Sequence, residues 1–254
     1  MAQPWQTGKI IRIEEATTAT RRFWIELVSG EPFEFQPGQF VTLDLPIHEK
    51  PSKRWRSYSI ASWPDGSPVF ELVIVLLESG AGTTYLFEQV QVGSELTLRG
   101  PQGSFVLPEP LEKDLFLICT GTGIAPFRSM VHDIYNKSLP HKDIYLVFGC
   151  RLLADALYKK EMEELERKLP GFHYLPVFSR ELPEHCEEPI RRGYVHAVYE
   201  EICGNWKNSD PAGLALVRPA AFYLCGWKNM IDDARKKITD LGYERKAIHL
   251  ELYG

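Results

Sequence analysis

The stretch CTGTGIAPFRSM, Cys119 to Met130, divides the chain by hydrophobic period. Before it, apolar and polar residues alternate over short runs. After it, short apolar runs alternate with segments whose apolar residues recur at helical spacing. This change predicts an antiparallel β unit followed by an alternating β/α unit. Just upstream, DLFLI (Asp114 to Ile118) suits a strand covered on both faces, and downstream Phe127, Met130, Val131 and Ile134 share one helical face. The order is therefore strand, glycine loop, helix. Gly121 and Gly123, with Thr122 between them, permit a tight turn and close approach to a ligand. Pro126 fits the first helical turn, where free amides favour a phosphate. The third glycine of the usual dinucleotide fingerprint is replaced by Ala125-Pro126, and the next strand, DIYLVFGCR, ends without the acidic residue that grips a ribose. Alone, the loop fits a nucleotide site or an ordinary β-to-α turn.

Length and charge narrow the class. The 254 residues, 44% hydrophobic, suffice for two modest cores, and 29 basic against 34 acidic residues are well mixed, which argues against a nucleic-acid surface or a polybasic membrane patch. No apolar run reaches a membrane span and the polar start MAQPWQTGK lacks a signal-peptide core, so a cytoplasmic protein without membrane insertion is expected. Cys119, Cys150, Cys186, Cys203 and Cys225 are too widely spaced for a disulfide framework, a zinc site or an iron–sulfur cluster, so no metal is expected. Pro-rich VLPEPLEK, Val106 to Lys113, reads as a linker between residues 1–110 and 111–254.

In the first part, GKIIRIEEA, RFWIELV and FVTLDLP read as half-buried strands, with EFQPGQF as a turn. Lys50, Lys53, Arg54 and Arg56 are four of the nine basic residues before Pro110 and form a loop that is either simply solvated or suited to a phosphate or acidic partner. In RSYSIAS, strand alternation puts Arg56 and Tyr58 on one face and Ser57 and Ser59 on the other. FELVIVLLESGAGTTYLFEQV gives a buried strand, a turn through Gly80, Ala81 and Gly82, and a short helix opening at Thr83, whose amides offer a second anion site. With SELTLRGPQGSF, about six strands and one short helix close most simply as a small antiparallel barrel.

The motifs RSYSIAS, GAGTTYL, GPQGSF and GTGIAPFRSM, in this order, resemble the plant-type ferredoxin–NADP reductase family over nearly the whole chain. The resemblance implies a barrel that binds FAD, then a doubly wound parallel-sheet domain that binds NADP(H) or, in some relatives, NAD(H). It implies FAD contacts at Arg56, Ser57, Tyr58, Ser59, Gly80, Ala81, Gly82 and Thr83. Two positions depart from the pattern. Val75 stands where the family has a lysine, and Ser79 where it has an aromatic ring that stacks on the adenine.

After the glycine loop, strands and helices alternate to HLELYG, a doubly wound sheet with ligands expected at the carboxyl ends of its strands. Ser179 and Arg180 in FSRE suit a phosphomonoester, and the resemblance assigns them, with Arg192 and Tyr194, to the 2'-phosphate and adenine of NADP. It also sets Cys225 and Gly226 beside the nicotinamide and Tyr253 against the flavin ring, with Glu251 two residues before it; Gly254 extends one residue past the usual end. The expected reaction is hydride transfer between nicotinamide C4 and flavin N5, with Ser59, Cys225, Glu251 and Tyr253 as catalytic residues. Single electrons then pass to or from a separate ferredoxin or flavodoxin. The alternatives are an NADH-dependent reductase component of an oxygenase and a non-catalytic flavin- or nucleotide-binding subunit.

Overall fold

A computed structural model describes residues 3–181, 190–208 and 217–253; Cys186 and Gly254 lie outside them. The chain packs as two compact units, one of residues up to Leu107 with Ala125–Ser138, the other of Pro108–Ile124 with the chain from Leu139 onward. No helix among the described residues is long and apolar enough to cross a membrane.

The first unit contains strands β1 (Gln6–Thr17), β2 (Thr20–Leu27), β3 (Phe40–Asp44), β4 (Trp55–Ser59), β5 (Val69–Val75) and β6 (Glu95–Gln102), in the order β4-β3-β6-β1-β2-β5. All pairs are antiparallel, and a bridge between Ile60 and Leu72 brings the two edge strands together into the expected barrel. Alternation drives this closure: in β2, Phe23, Ile25 and Leu27 point inward and meet Ile10, Val41, Leu43, Phe70, Leu72 and Leu98 in one core. Two helices interrupt the strands, α1 (Pro51–Arg54) and α2 (Ala81–Glu88). The first was expected as irregular loop; Pro51, with its φ already helical, opens a single turn there.

The glycine loop leads into α3 (Ile124–Lys137), which packs with the barrel: Phe127 meets Phe105 at 5.9 Å between ring centroids, and Gly38 leaves room for the Met130 methyl.

The second unit contains β7 (Asp114–Thr120), β8 (Ile144–Cys150), β9 (Phe172–Phe178), β10 (Ala220–Trp227) and β11 (Ile248–Tyr253), all parallel, in the order β11-β10-β7-β8-β9. Helices α4 (Lys159–Lys168), α5 (Val195–Asn208) and α6 (Lys228–Asp240) complete it. The strand order reverses between β7 and β10, and ligands of such sheets bind beyond the carboxyl ends at that reversal. Phe116, Ile118, Val147, Tyr199, Phe222 and Leu224 are fully or nearly fully buried and form its core. The amphipathic text ALYKKEMEELERKL reads as helix from Ala156, but α4 begins only at Lys159, because Tyr158 takes a left-handed conformation at φ 56°.

Candidate functional site

In the barrel, β4 pairs with β3 so that Arg56 opposes Leu43 and Tyr58 opposes Val41. Arg56 and Tyr58 therefore share the inward side, while Ser57 shares the other with Thr42, its Oγ 3.0 Å from the threonine Oγ1. Tyr58 packs against the core, and burial pushes its phenol up to about 12, against the opposing pull of Arg56. It is a neutral ring at any physiological pH. Ser59 is buried at the strand end.

The Arg56 side chain crosses the first turn of α2. A Cβ on Gly82 would lie 2.9 Å from its Cγ, so only glycine lets the arginine run this close. Its Nη1 donates to the carbonyls of Lys53 and Trp55 at 3.0 and 2.8 Å, which fixes the guanidinium. Gly80 caps the helix without a side-chain hydrogen bond to its first amides. The Thr83 hydroxyl is turned back on the loop, donating to the Gly80 carbonyl and accepting from the Leu77 amide at 3.0 and 3.1 Å. A cation and helix-start amides thus stand together, a fit for the pyrophosphate of a dinucleotide.

In the second unit, Gly121, Thr122 and Gly123 form one tight turn after β7. A Cβ on Gly123 would stand 2.4 Å from the Cys225 carbonyl oxygen, so the loop can lie flat on the end of β10 only with glycine there. Pro126 lies in the first turn of α3. Beside Gly226 the Thr120 hydroxyl is buried and has no hydrogen-bond partner, an orphaned group at the strand-order reversal that a ligand would satisfy. Cys119, Cys225 and Glu251 occupy one row across β7, β10 and β11, with the Cys225 thiol 3.9 Å from Glu251 Oε2. Burial, reinforced by Glu251, holds the Cys225 thiol well above its ordinary value, so it is no nucleophile. Tyr253 pairs with Trp227 at the carboxyl end of the same row of strands.

At the other side of this sheet, Ser179 and Arg180 follow β9. The Ser179 amide donates to Cys150 O at 3.0 Å and the Arg180 amide to Arg151 O at 2.9 Å. The segment before α5 joins them: Phe178 N donates to Arg191 O at 2.9 Å and Gly193 N to Phe178 O at 3.0 Å. Arg180, Arg192 and Tyr194 are exposed, the tyrosine by 72%. Sequence reasoning missed Arg151, which these bonds bring to the same edge. Its signal was a basic residue where an acidic one is usual. It also missed Arg128, a buried cation on α3, which donates to Ala61 O and Glu71.

Residues 7–107 match the oxidoreductase FAD-binding domain and residues 117–236 the oxidoreductase NAD-binding domain. Ferredoxin–NADP reductase B of Sorangium cellulosum is 33% identical over 99% of this chain and 98% of its own length. The chain belongs to the ferredoxin–NADP reductase family. It is an NAD(P)H–flavin oxidoreductase that uses FAD. The glycine betaine monooxygenase reductase subunit of Chromohalobacter salexigens is 32% identical over 99% of this chain, which spans only 66% of that protein. Among solved structures, Amycolatopsis cytochrome P450 reductase GcoB superposes with a TM-score of 0.81 at 26% identity, over 98% of this chain and 70% of that one. The fold is also that of a Neisseria gonorrhoeae ferredoxin NADP+ reductase, TM-score 0.75 and 24% identity, with 98% of each chain covered.

Proposed function

We propose that this protein passes electrons between NADP(H) and a separate ferredoxin or flavodoxin through FAD. The bound flavin supplies the chemistry, accepting or donating hydride on one side and single electrons on the other. The residues hold and select. Arg56 and the first amides of α2 bind the FAD pyrophosphate, Tyr58 supports the flavin ring, and the Ser59 hydroxyl hydrogen-bonds at its reactive nitrogen. Cys225 and Glu251 shape the place for the nicotinamide, and Tyr253 occupies the stacking position that the nicotinamide must take. Ser179, Arg180 and Arg192 bind the 2'-phosphate and Tyr194 covers the adenine.

The observation that carries NADP over NAD is the backbone bonding that draws Arg151 and Arg180 together at one sheet edge, where the bridge between Phe178 and Arg192 adds a third arginine. Several guanidinium groups at one edge suit a phosphate dianion and give no advantage to a bare ribose. A separate carrier is supported by the near-complete overlap with ferredoxin–NADP reductase B. The reading as an oxygenase reductase is favoured by the glycine betaine monooxygenase relative.

The test is reduction of a purified ferredoxin, of a flavodoxin and of a small dye with NADPH, at low and high salt. The proposal expects carrier reduction that falls with salt while dye reduction does not. Dye reduction with neither carrier reduced at any salt would move the assignment to the oxygenase-reductase class.

A further inference from the structure

Arg128 ties together three segments of the first unit. Its Nη1 donates to the carbonyl of Ala61 at 2.8 Å and to Oε2 of Glu71 at 3.0 Å. Glu71, on β5 and 2% exposed, also receives Arg22 from β2 at two points, Nε to Oε1 at 2.6 Å and Nη2 to Oε2 at 3.1 Å. Ala61 lies two residues beyond Ser59.

The same short segment is held at every step. Ile60 bridges Leu72, the Ala61 amide donates to Glu71 O at 2.8 Å, and the Glu71 amide donates to Ser62 Oγ at 3.0 Å. Trp63 stacks on His132 at 4.1 Å and 22°, with the Arg128 guanidinium 5.2 Å from its centroid. Arg128 and His132, four apart on one face of α3, thus clasp the residues that follow Ser59.

β4 is an edge strand whose ladder runs along β3 alone, and its bridge to β5 comes only at Ile60, one residue past its end. The end that carries Ser59 is held on one side by β3, where Ser59 pairs with Phe40 and the Ile60 amide donates to the Gln39 carbonyl at 3.0 Å, and on the other by the clasp. Burying guanidinium and carboxylate groups is costly unless every charge is paired and bonded, and an apolar side chain would fill the same space more cheaply. What the ionic cluster adds is direction: the planar guanidinium aims Nη1 at both the Ala61 carbonyl and the Glu71 carboxylate.

We propose that Arg128 is a positioning residue for Ser59, setting through Ala61 and Glu71 where the serine hydroxyl stands toward the flavin. The proposal rests on the role given above to Ser59.

Arg128→Lys keeps the charge and loses the planar donor; Glu71→Gln keeps the shape and removes the charge, and either variant alone suffices. The holoproteins, with Ser59→Ala and the Ser59→Ala/Arg128→Lys double variant, are followed by hydrogen–deuterium exchange at residues 60–63 and by the rate of anaerobic flavin bleaching with NADPH. The expected result is faster exchange there and bleaching slowed about tenfold at an unchanged half-saturating NADPH concentration. The double variant should be no slower than Ser59→Ala. Faster exchange with bleaching at the wild-type rate would overturn the proposal and leave Arg128 a structural tie. Losses that multiply in the double variant would overturn it too. Ser59→Ala bleaching at the wild-type rate would instead remove the role of Ser59, and the positioning role with it.

Discussion

Cys225 on β10 and Glu251 on β11 stand opposite each other in parallel register, the thiol 3.9 Å from Oε2. Both belong to one row of side chains at the carboxyl edge of the sheet, and the row makes the cysteine a shape rather than a reagent. Burial first, then the neighbouring carboxylate, keeps it a neutral thiol. In the native protein at pH 8, Cys225 should therefore resist iodoacetamide while a denatured sample alkylates fully, as mass mapping of the peptide would report. Rapid alkylation in the native state would contradict the burial argument.

The buried thiols and phenols also set the alkaline limit of stability. Tyr58, Tyr145 and Tyr223 are pushed up to about 12, chiefly by burial, and Cys119 and Cys225 lie well above their ordinary value of 9.0. Their folded pKa values are raised, so the unfolded chain gives up protons first. Stability is intact below about pH 8.5, where the unfolded thiols begin to ionise, and declines through the range in which unfolded tyrosines titrate near 10. Melting temperatures at pH 8, 9.5 and 10.5 should fall in that order; a flat profile would contradict these shifts.

Two glycines should respond differently to alanine. At Gly123 the added carbon meets a backbone oxygen at 2.4 Å, which cannot step aside, so Gly123→Ala should cost about 1–3 kcal/mol and weaken nicotinamide-nucleotide binding. At Gly82 the obstacle is the Arg56 side chain at 2.9 Å, which can move. Gly82→Ala should leave the melting temperature of the apoprotein nearly unchanged while FAD dissociates more readily, as a fluorescence titration of released flavin would measure.

Much of this architecture was legible because period and turn chemistry are local. The alternation in RFWIELV announced an inward face of Phe23, Ile25 and Leu27, and the buried run of β7 announced a strand covered on both sides. The clasp on Ser59 was not legible. Glu71 sits inside the apolar run FELVIVLL, and its partner Arg128 comes 57 residues later on another element, so no spacing rule connects them. The one-turn α1 and the late start of α4 were hidden for the opposite reason: each depends on the backbone of one residue, Pro51 or Tyr158. The site residues were legible as motif text, while what fixes them in place is tertiary.

Arg54 illustrates the same point for partner docking. It is engaged by the Asp44 carboxylate, its Nε 2.6 Å from Oδ1, whereas Lys53 is exposed. Lys53→Glu alone should slow reduction of an acidic carrier at low salt, with dye reduction intact. Loss of both activities together would assign the lysine to FAD binding.

Replacing Tyr253 by serine opens the stacking position assigned to the nicotinamide. Tyr253→Ser should tighten nicotinamide-nucleotide binding by about tenfold, because the competing occupant is gone. Unchanged affinity for both NADP+ and NAD+ in equilibrium difference spectra would remove Tyr253 from that role.

The central claim, a flavoenzyme selective for the phosphorylated nicotinamide nucleotide, is tested most directly by anaerobic titration of the yellow holoprotein with NADPH and with NADH, followed by flavin absorbance. The wild type should bleach far more readily with NADPH, and Arg180→Ala should lose about 10- to 100-fold of that preference, the worth of charged hydrogen bonds to a phosphate, without changing the response to NADH. Equal or better bleaching by NADH, or a preference indifferent to Arg180, would contradict the account.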